Sequence, residues 1–249
     1  MAEPLLAVER VTCRFGGLLA VDAASISASE GQITALIGPN GAGKTTLFSI
    51  ISGFIKASGG AVRYAGEHIT GEPPHRLARR GIARTFQIVQ PFVGLSVREN
   101  ILVGAHLHHR ARSAALAVAD QIGHEVGLGE FLNRPADTLT VAGRKRLELA
   151  RALATGPKVL LLDEVLAGLN PSEVRDIVPV IRDLCRRGIT ILMIEHVMQA
   201  VMSLAEQVFV LAEGRIIGAG SAHEIARNPR VVEAYLGHGA AAKWGASHA

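Results

Sequence analysis

An eight-residue segment constrains the fold of this chain more than any other feature. Residues 38–45 read GPNGAGKT, which fits the pattern G-x-x-x-x-G-K-[ST]. An apolar run at 32–37 precedes the segment and a helix-compatible stretch at 44–51 follows it, so strand, glycine-rich turn and helix occur in that order. In such a turn, backbone N–H groups curl around phosphate oxygens, and the helix N-terminus directs its positive end at them. The sequence therefore predicts a phosphate-binding loop, and the flanking elements disfavour a chance glycine-rich turn.

Side chains at the end of this loop can contact a nucleotide directly. Lys44 supplies a mobile cation for the β- and γ-phosphates, and the hydroxyl of Thr45 can coordinate Mg²⁺. ATP with Mg²⁺ is thus the expected ligand of the loop. Its predicted nucleotide contacts are Gly38, Pro39, Asn40, Gly41, Ala42, Gly43, Lys44, Thr45 and Thr46.

A pair of carboxylates ends a second apolar run. Residues 159–164 read VLLLDE, so Asp163 and Glu164 close a run that is otherwise apolar. A buried carboxylate is unfavourable unless a cation lies nearby, and we expect Mg²⁺ to be that cation. Asp163 can hold the ion through its water shell, and Glu164 can polarise a water for in-line attack on the γ-phosphate. For these residues in isolation, an acidic helix N-cap is the alternative.

The remaining pattern predicts an α/β fold. Apolar runs at 158–163 and 189–195 flank an amphipathic stretch at 171–187, which is typical of parallel strands crossed by helices. Strand and hairpin patterns predict an antiparallel sheet beside the parallel one, at residues 5–15, 61–69 and 207–219. Between about 96 and 155 the chain is predicted to be mainly helical, starting with a capping box at Ser96 and Glu99. We expect one domain over 1–237, with this helical insert, and a loosely ordered tail over 238–249.

Composition narrows the class of protein. The 249 residues carry a formal net charge of +4 and are 49% apolar, which excludes a disordered chain and a disulfide-stapled mini-domain. No run of Lys or Arg resembles a nucleic-acid-binding arm, so no nucleic-acid partner is expected. Cys13 and Cys185 lie far apart without a metal-ligand spacing, which favours a reducing compartment. No export signal or long apolar segment is visible, so we expect a cytosolic chain.

Three further motifs accompany the loop and the carboxylates. They are TFQ at 85–87, LTVAGRKRLELARAL at 139–153 and IEH at 194–196. In order and spacing they resemble the Q-loop, the signature motif with its helix, and the switch histidine of the ATP-binding cassette (ABC) family of transport ATPases. The resemblance covers about residues 5–237. It implies a P-loop NTPase fold with a mixed central sheet, a flanking antiparallel β-subdomain and an inserted α-helical subdomain.

The resemblance also implies roles for single side chains. Gln87 would contact Mg²⁺ and the attacking water, and His196 would donate a hydrogen bond to a γ-phosphate oxygen. Phe15, followed by Val21, resembles the aromatic loop that stacks on adenine, although a core phenylalanine is the alternative. The expected catalytic residues are Glu164, His196, Gln87 and Lys44, and the expected magnesium ligands are Thr45, Gln87 and Asp163.

The signature motif departs from the family pattern. The usual LSGGQ reads LTVAG here, so Thr140 keeps a hydroxyl while Val141 and Ala142 replace glycines ahead of Gly143. In the family, this segment contacts the nucleotide bound to the opposite subunit, so these four residues are expected to bind ATP in trans within a head-to-tail dimer. Val165 also stands where proline usually follows the catalytic glutamate. Because the other catalytic side chains are retained, hydrolysis is expected; whether the second ATPase subunit is a copy of this chain stays open.

Several stretches look most like the branched-chain amino-acid importer branch of that family. They are FGGLLAV at 15–21, RTFQ at 84–87, AGLNP at 167–171 and EAYLG at 233–237. This implies a peripheral ATPase on the cytoplasmic face of a bacterial inner membrane, working with two permease subunits, a second ATPase subunit and, indirectly, a periplasmic substrate-binding protein. Amides, urea or aromatic acids remain open as cargo. The alternatives are a lipopolysaccharide-export ATPase, a nucleotide-binding regulatory subunit with little turnover, and a soluble ABC protein of repair or translation.

Overall fold

A computed structural model describes residues 3–87 and 90–236. Its strands are β1 (Leu6–Phe15), β2 (Leu18–Ala28), β3 (Ile33–Ile37), β4 (Gly59–Tyr64), β5 (Glu67–His68), β6 (Ile82–Arg84), β7 (Val159–Asp163), β8 (Thr190–Ile194), β9 (Gln207–Ala212) and β10 (Arg215–Gly220). Its helices are α1 (Lys44–Ile51), α2 (Pro74–Arg80), α3 (Val97–Ala105), α4 (Arg112–Glu125), α5 (Val141–Leu153), α6 (Pro171–Arg186), α7 (Met198–Leu204), α8 (Ala222–Ala226) and α9 (Pro229–Leu236). The predicted tail at 238–249 lies outside the described residues.

The described residues form two compact units, and the first comprises 3–73 and 190–236. One antiparallel sheet in it has the strand order β2-β1-β4-β5. Four further strands follow the order β10-β9-β3-β8, in which β3 is parallel to β8 and β9, and β9 is antiparallel to β10. Every residue of β3 is buried, which is why this strand reads as a continuous apolar run. Its carboxyl end leads into the phosphate loop.

Two tight turns in this unit follow from their residue pairs. Ala65-Gly66 connects β4 to β5, and Glu213-Gly214 connects β9 to β10. All four residues have positive φ, between 48° and 78°. That geometry matches the right-handed twist of the flanking strands in a hairpin. Both turns lie within the segments 61–69 and 207–219, for which the sequence predicts strands or hairpins.

The second unit comprises residues 74–87 and 90–189. Strand β6 pairs in parallel with β7, which is buried along its whole length and ends at Asp163. Helix α3 packs against α4 and α5, and the predicted capping box between Ser96 and Glu99 is present. Asn170 caps α6 in the same way, with Pro171 in its first turn. The buried strand β7 and the helix α5 carry the side chains of interest in this unit.

The predicted fold class is confirmed, because a mixed sheet, a separate antiparallel sheet and helices are all present. The placement of 207–219 in the antiparallel sheet is wrong, because β9 pairs in parallel with β3 and so joins the mixed sheet together with β10. Predicted and observed bounds of β3, α1, β7, α6 and β8 differ by at most one residue at each end. The cysteines are free and buried. Among the described residues, no helix combines the length and the apolar character that crossing a bilayer requires.

Candidate active site

The phosphate loop joins β3 to α1, and its inner side is closed by backbone. Gly38, Gly41 and Gly43 all have positive φ, of 152°, 79° and 102°. A Cβ on Gly38 would lie 1.9 Å from the carbonyl oxygen of Leu211, and one on Gly43 would lie 2.3 Å from that of Ala20. Around Gly41, by contrast, a Cβ would meet nothing within 4 Å. Backbone atoms of other segments thus pack closely against Gly38 and Gly43, whereas the space beside Gly41 is open. A loop that binds an anion needs both features.

The side chain of Lys44 places a positive charge inside this loop. Its Nζ donates hydrogen bonds to the carbonyl oxygens of Gly38, at 2.7 Å, and Pro39, at 2.9 Å, and the residue is buried. Thr45 is exposed and Thr46 half-buried in the same first turn of α1, which contains no acidic residue. A buried ammonium beside a helix N-terminus attracts a polyphosphate, so these residues fit the predicted ligand.

Three other predicted contacts lie in the same unit. Phe15 is 48% exposed at the end of β1, which rules out the core alternative for its ring. Val21 is fully buried on β2, and its Cγ2 lies 3.4 Å from where a Cβ of Gly43 would be, so this side chain supports the loop from behind. His196 is exposed, two residues after the end of β8. Phe15 and His196 are thus accessible to a ligand.

In the second unit, Asp163 is buried at the carboxyl end of β7 and paired with an arginine. Arg84 Nη2 donates to its Oδ2 at 2.8 Å, and the two side chains are 6% and 1% exposed. Its backbone N–H donates to Thr85 Oγ1 at 3.0 Å. The other carboxylate oxygen, Oδ1, is buried without a hydrogen-bond partner among the described residues. Burial raises the pKa of Asp163, although the hydrogen bond and charge of Arg84 oppose that rise.

The ion pair with Arg84 changes the expected cation beside Asp163, but a magnesium site at Asp163 is still supported. The sequence predicts a cation beside Asp163 and assigns that place to Mg²⁺, but Arg84 occupies one side of the carboxylate. The available signal was an arginine ending the short strand β6 directly before the TFQ motif. The unpartnered Oδ1 still fits a water-mediated magnesium ligand, because a buried acceptor without a donor is unfavourable by itself.

Glu164 follows directly, and contacts from two distant segments hold it. Gln87 Nε2 donates to its Oε2 at 2.7 Å, which brings together the predicted Q-loop glutamine and the predicted catalytic glutamate. Glu164 has a φ of 49°, in the left-handed region that non-glycine residues rarely adopt. Its carbonyl oxygen accepts hydrogen bonds from Lys145 Nζ, at 2.9 Å, and from the Ala167 N–H, at 3.2 Å. The sequence analysis missed the role of Lys145, for which no local pattern gives a signal.

The signature residues form the exposed start of α5. Thr140 is the N-cap, and its Oγ1 accepts a hydrogen bond from the Gly143 N–H at 3.2 Å. Val141 is 60% exposed, while Ala142 and Gly143 are half-buried within the first turn of the helix. Helical φ and ψ angles suit any of these side chains, so the replacement of glycine by valine and alanine is compatible with the helix. The helix end still presents backbone N–H groups.

The fold and these two sets of side chains define an ATP-binding cassette, and solved structures agree. A nucleotide-free ATP-binding cassette from an ABC transporter has a TM-score of 0.87 and 33% identity, covering 95% of this chain and 100% of that one. The ADP conformation of MJ1267, an ATP-binding cassette of an ABC transporter, has a TM-score of 0.85 at 33% identity, with the same coverage.

Sequence comparison gives the family. The family described as "ABC transporter" matches residues 21–167, and the one described as "Branched-chain amino acid ATP-binding cassette transporter" matches residues 215–241. The high-affinity branched-chain amino acid transport ATP-binding protein BraF of Pseudomonas aeruginosa is 42% identical, over 95% of this chain and 99% of its own length. LivG of Salmonella typhimurium, a protein of the same description, matches equally well in identity and coverage. The chain belongs to the ABC transporter family.

Proposed function

We propose that this chain is the ATP-hydrolysing subunit of an ABC importer for branched-chain or related amino acids. The observation that carries the proposal is the 42% identity, over nearly the full length of both chains, with proteins described as high-affinity branched-chain amino acid transport ATP-binding proteins. The match at residues 215–241 to the branched-chain family supports the same cargo, because this segment lies outside the match to the general ABC family. Neither similarity favours lipopolysaccharide export.

In this proposal, the first unit binds the triphosphate of ATP. The N–H groups of the loop and the ammonium of Lys44 neutralise phosphate charge, and the ring of Phe15 stacks on the adenine. Thr45, Gln87 and Asp163 are the residues that would hold Mg²⁺, and the ion would supply positive charge to neutralise the phosphate oxygens. The open front of the loop at Gly41 and the unpartnered Asp163 Oδ1 support these assignments.

The catalytic roles follow from side-chain chemistry. The Glu164 carboxylate accepts a proton from the water that attacks the γ-phosphate, and Gln87 orients both the carboxylate and the water. His196 donates a hydrogen bond to a γ-phosphate oxygen, where negative charge develops. The 2.7 Å hydrogen bond between Gln87 and Glu164 supports the first of these roles, because it fixes the direction of the carboxylate.

The proposed partners follow from the family. Two ATPase subunits form a head-to-tail dimer, in which Thr140–Gly143 of one subunit face the nucleotide of the other. The dimer lies on the cytoplasmic face of a bacterial inner membrane, bound to two permease subunits, which receive substrate from a periplasmic binding protein. The exposure of Thr140 and Val141 at the N-terminus of α5 supports the assignment in trans.

ATP turnover of the full-length chain tests the enzymatic part of the proposal. We expect Glu164→Gln to bind ATP and dimerise on size-exclusion chromatography, with turnover about 100-fold or more below wild type. Lys44→Ala should instead lose ATP binding. A wild-type chain that binds ATP tightly but hydrolyses no faster than Glu164→Gln would favour a regulatory subunit with little turnover.

Uptake measurements test the cargo. Deletion of the gene from its native host should reduce uptake of radiolabelled leucine, isoleucine and valine, and the wild-type gene should restore it. The gene for Glu164→Gln should not restore uptake, although its product is expressed. Unchanged amino-acid uptake combined with a defect in the cell envelope would instead favour lipopolysaccharide export.

A further inference from the structure

Lys145 is a buried charge within the second unit. The residue is only 7% exposed, and it lies in α5, four residues after the start of the helix. A buried ammonium is unfavourable unless hydrogen bonds and nearby negative charge compensate it, and an apolar side chain of similar volume would avoid the penalty. A lysine at this position therefore lowers the stability of the fold relative to an apolar residue, which points to a role for the N–H donors of its ammonium.

The donors of Lys145 join two segments that are distant in sequence. Nζ donates to the backbone carbonyl of Glu164 at 2.9 Å and to that of Gln87 at 3.3 Å. These two residues are themselves joined by the 2.7 Å hydrogen bond between their side chains. One ammonium thus ties together the main chains of the two residues whose side chains are assigned to the attacking water.

The contact with Glu164 has a further consequence. The φ of 49° at this residue is unfavourable for a side chain other than glycine. Val165 follows it, so no proline ring restricts the main chain here. The carbonyl of Glu164 is held by Lys145 Nζ and by the Ala167 N–H, and these bonds stabilise the unusual backbone conformation. Backbone conformation sets the direction of the side chain, and with it the position of the carboxylate.

Lys145 also belongs to a row on one face of α5. Glu148 accepts a hydrogen bond from the backbone N–H of Phe86, and Arg151 donates to the carbonyl of Gln90 at 2.9 Å. The three residues are spaced by three along the helix, so they share a face. That face contacts Phe86, Gln87 and Gln90, which come after β6 in the sequence. Within the row, Lys145 also contacts Glu164.

We propose that Lys145 is a positioning residue, which holds the main chains of Gln87 and Glu164 at the distance that aligns the carboxylate with the attacking water. This inference rests on the proposed ATPase function. It makes α5 more than the carrier of the signature residues, because a displacement of the helix would move the carbonyl of Glu164 directly. Lys145 itself does not contact the reacting atoms in this proposal.

Steady-state kinetics of the full-length chain test the inference. We expect Lys145→Met, which preserves volume without a donor, to lower kcat about 10- to 100-fold, since small misplacements of catalytic groups have effects of this size. KM for ATP should stay within about twofold, since Lys145 is not assigned to ATP binding. Lys145→Arg keeps donors and should recover most of the loss. Lys158→Met makes the same change at an exposed lysine of this unit and should match wild type.

Hydrogen exchange provides a second readout that does not need turnover. In the chain without nucleotide, Lys145→Met should accelerate amide exchange in peptides covering 84–87 and 163–167, whereas Lys145→Arg and Lys158→Met should not. If Lys145→Met fails to fold, Lys145→Leu, which also lacks a donor, replaces it in both measurements.

The outcomes separate the two proposals. Wild-type kcat in Lys145→Met, while Glu164→Gln is inactive, would overturn the role of Lys145 and leave the ATPase function intact. Equal losses in Lys145→Met and Lys145→Arg would also overturn it, because a packing role alone would then suffice. If the wild-type chain hydrolyses no ATP, the ATPase proposal fails, and unchanged exchange in Lys145→Met would reject the positioning role independently.

Discussion

The phosphate loop and the carboxylate end of β7 are built on opposite principles. In the loop, positive φ angles fall on glycine, and neighbouring backbone from β2 and β9 fixes the shape. At the end of β7, a positive φ falls on Glu164, and charged side chains from distant segments fix the shape. The shape of the phosphate loop depends on glycines, which have no Cβ. The shape at the end of β7 depends on contacts with charged side chains from other segments. Substitutions should therefore affect the two regions through different mechanisms.

The largest expected effect tests the charged partners. Arg84→Met leaves the Asp163 carboxylate buried without its cation, which should lower the free energy of unfolding by about 3–5 kcal/mol. Urea titration of the chain without nucleotide measures the loss. Combining Arg84→Met with Asp163→Leu removes both charges and should recover most of the lost stability. A double variant no more stable than Arg84→Met would show that shape, and not charge, holds this region.

The next effect tests the loop. Gly38→Ala would place a Cβ 1.9 Å from the Leu211 carbonyl oxygen, so the strand β9 or the loop must move, and we expect a loss of about 3 kcal/mol in urea titration. Gly41→Ala is the matched control, because its Cβ meets no atom within 4 Å and only the left-handed conformation is penalised, by about 1–2 kcal/mol. Equal losses in the two variants would mean that close approach of the backbone does not shape the loop.

The same contrast explains which features of the site could be predicted from the sequence. The loop and its flanking elements β3 and α1 could be predicted, because the glycines encode backbone geometry within a single short segment. Asp163, Glu164 and Gln87 could be selected as site residues from their motifs. Their pairing with Arg84 and Lys145 could not be predicted, although Arg84 stands directly before the TFQ motif. Each pairing joins segments between 19 and 79 residues apart, and only the tertiary fold shows which side chains meet.

A smaller effect tests the strain at Glu164. Glycine adopts a φ of 49° freely but gains more entropy in the unfolded chain, so Glu164→Gly should raise the free energy of unfolding by about 0.5–1 kcal/mol while it abolishes turnover. Glu213→Gly makes the same change at the same φ in the exposed β9–β10 turn, and should stabilise the chain by a similar amount. A loss of stability in Glu164→Gly alone would mean that the contact with Gln87 outweighs the backbone strain.

The smallest expected effect tests whether burial explains the large contribution of the Arg84–Asp163 pair to stability. Arg187 Nη2 donates to Glu125 Oε2 at 2.9 Å in the same unit, but these side chains are 45% and 26% exposed. Glu125→Gln should therefore cost no more than about 1 kcal/mol at pH 7. A cost near that of Arg84→Met would remove burial as the explanation for the larger effect.

The pH dependence of this exposed pair has a definite sign. The hydrogen bond from Arg187 holds the pKa of Glu125 below its ordinary value of 4.5. A depressed pKa in the folded state contributes stability above the ordinary pKa, and this contribution disappears as the pH falls through the folded value. The stability difference between wild type and Glu125→Gln should thus shrink between about pH 5 and pH 3 in urea titrations. Glu130→Gln removes the same charge from an exposed glutamate that has no ion pair among the described residues, so it is the control for the loss of charge alone.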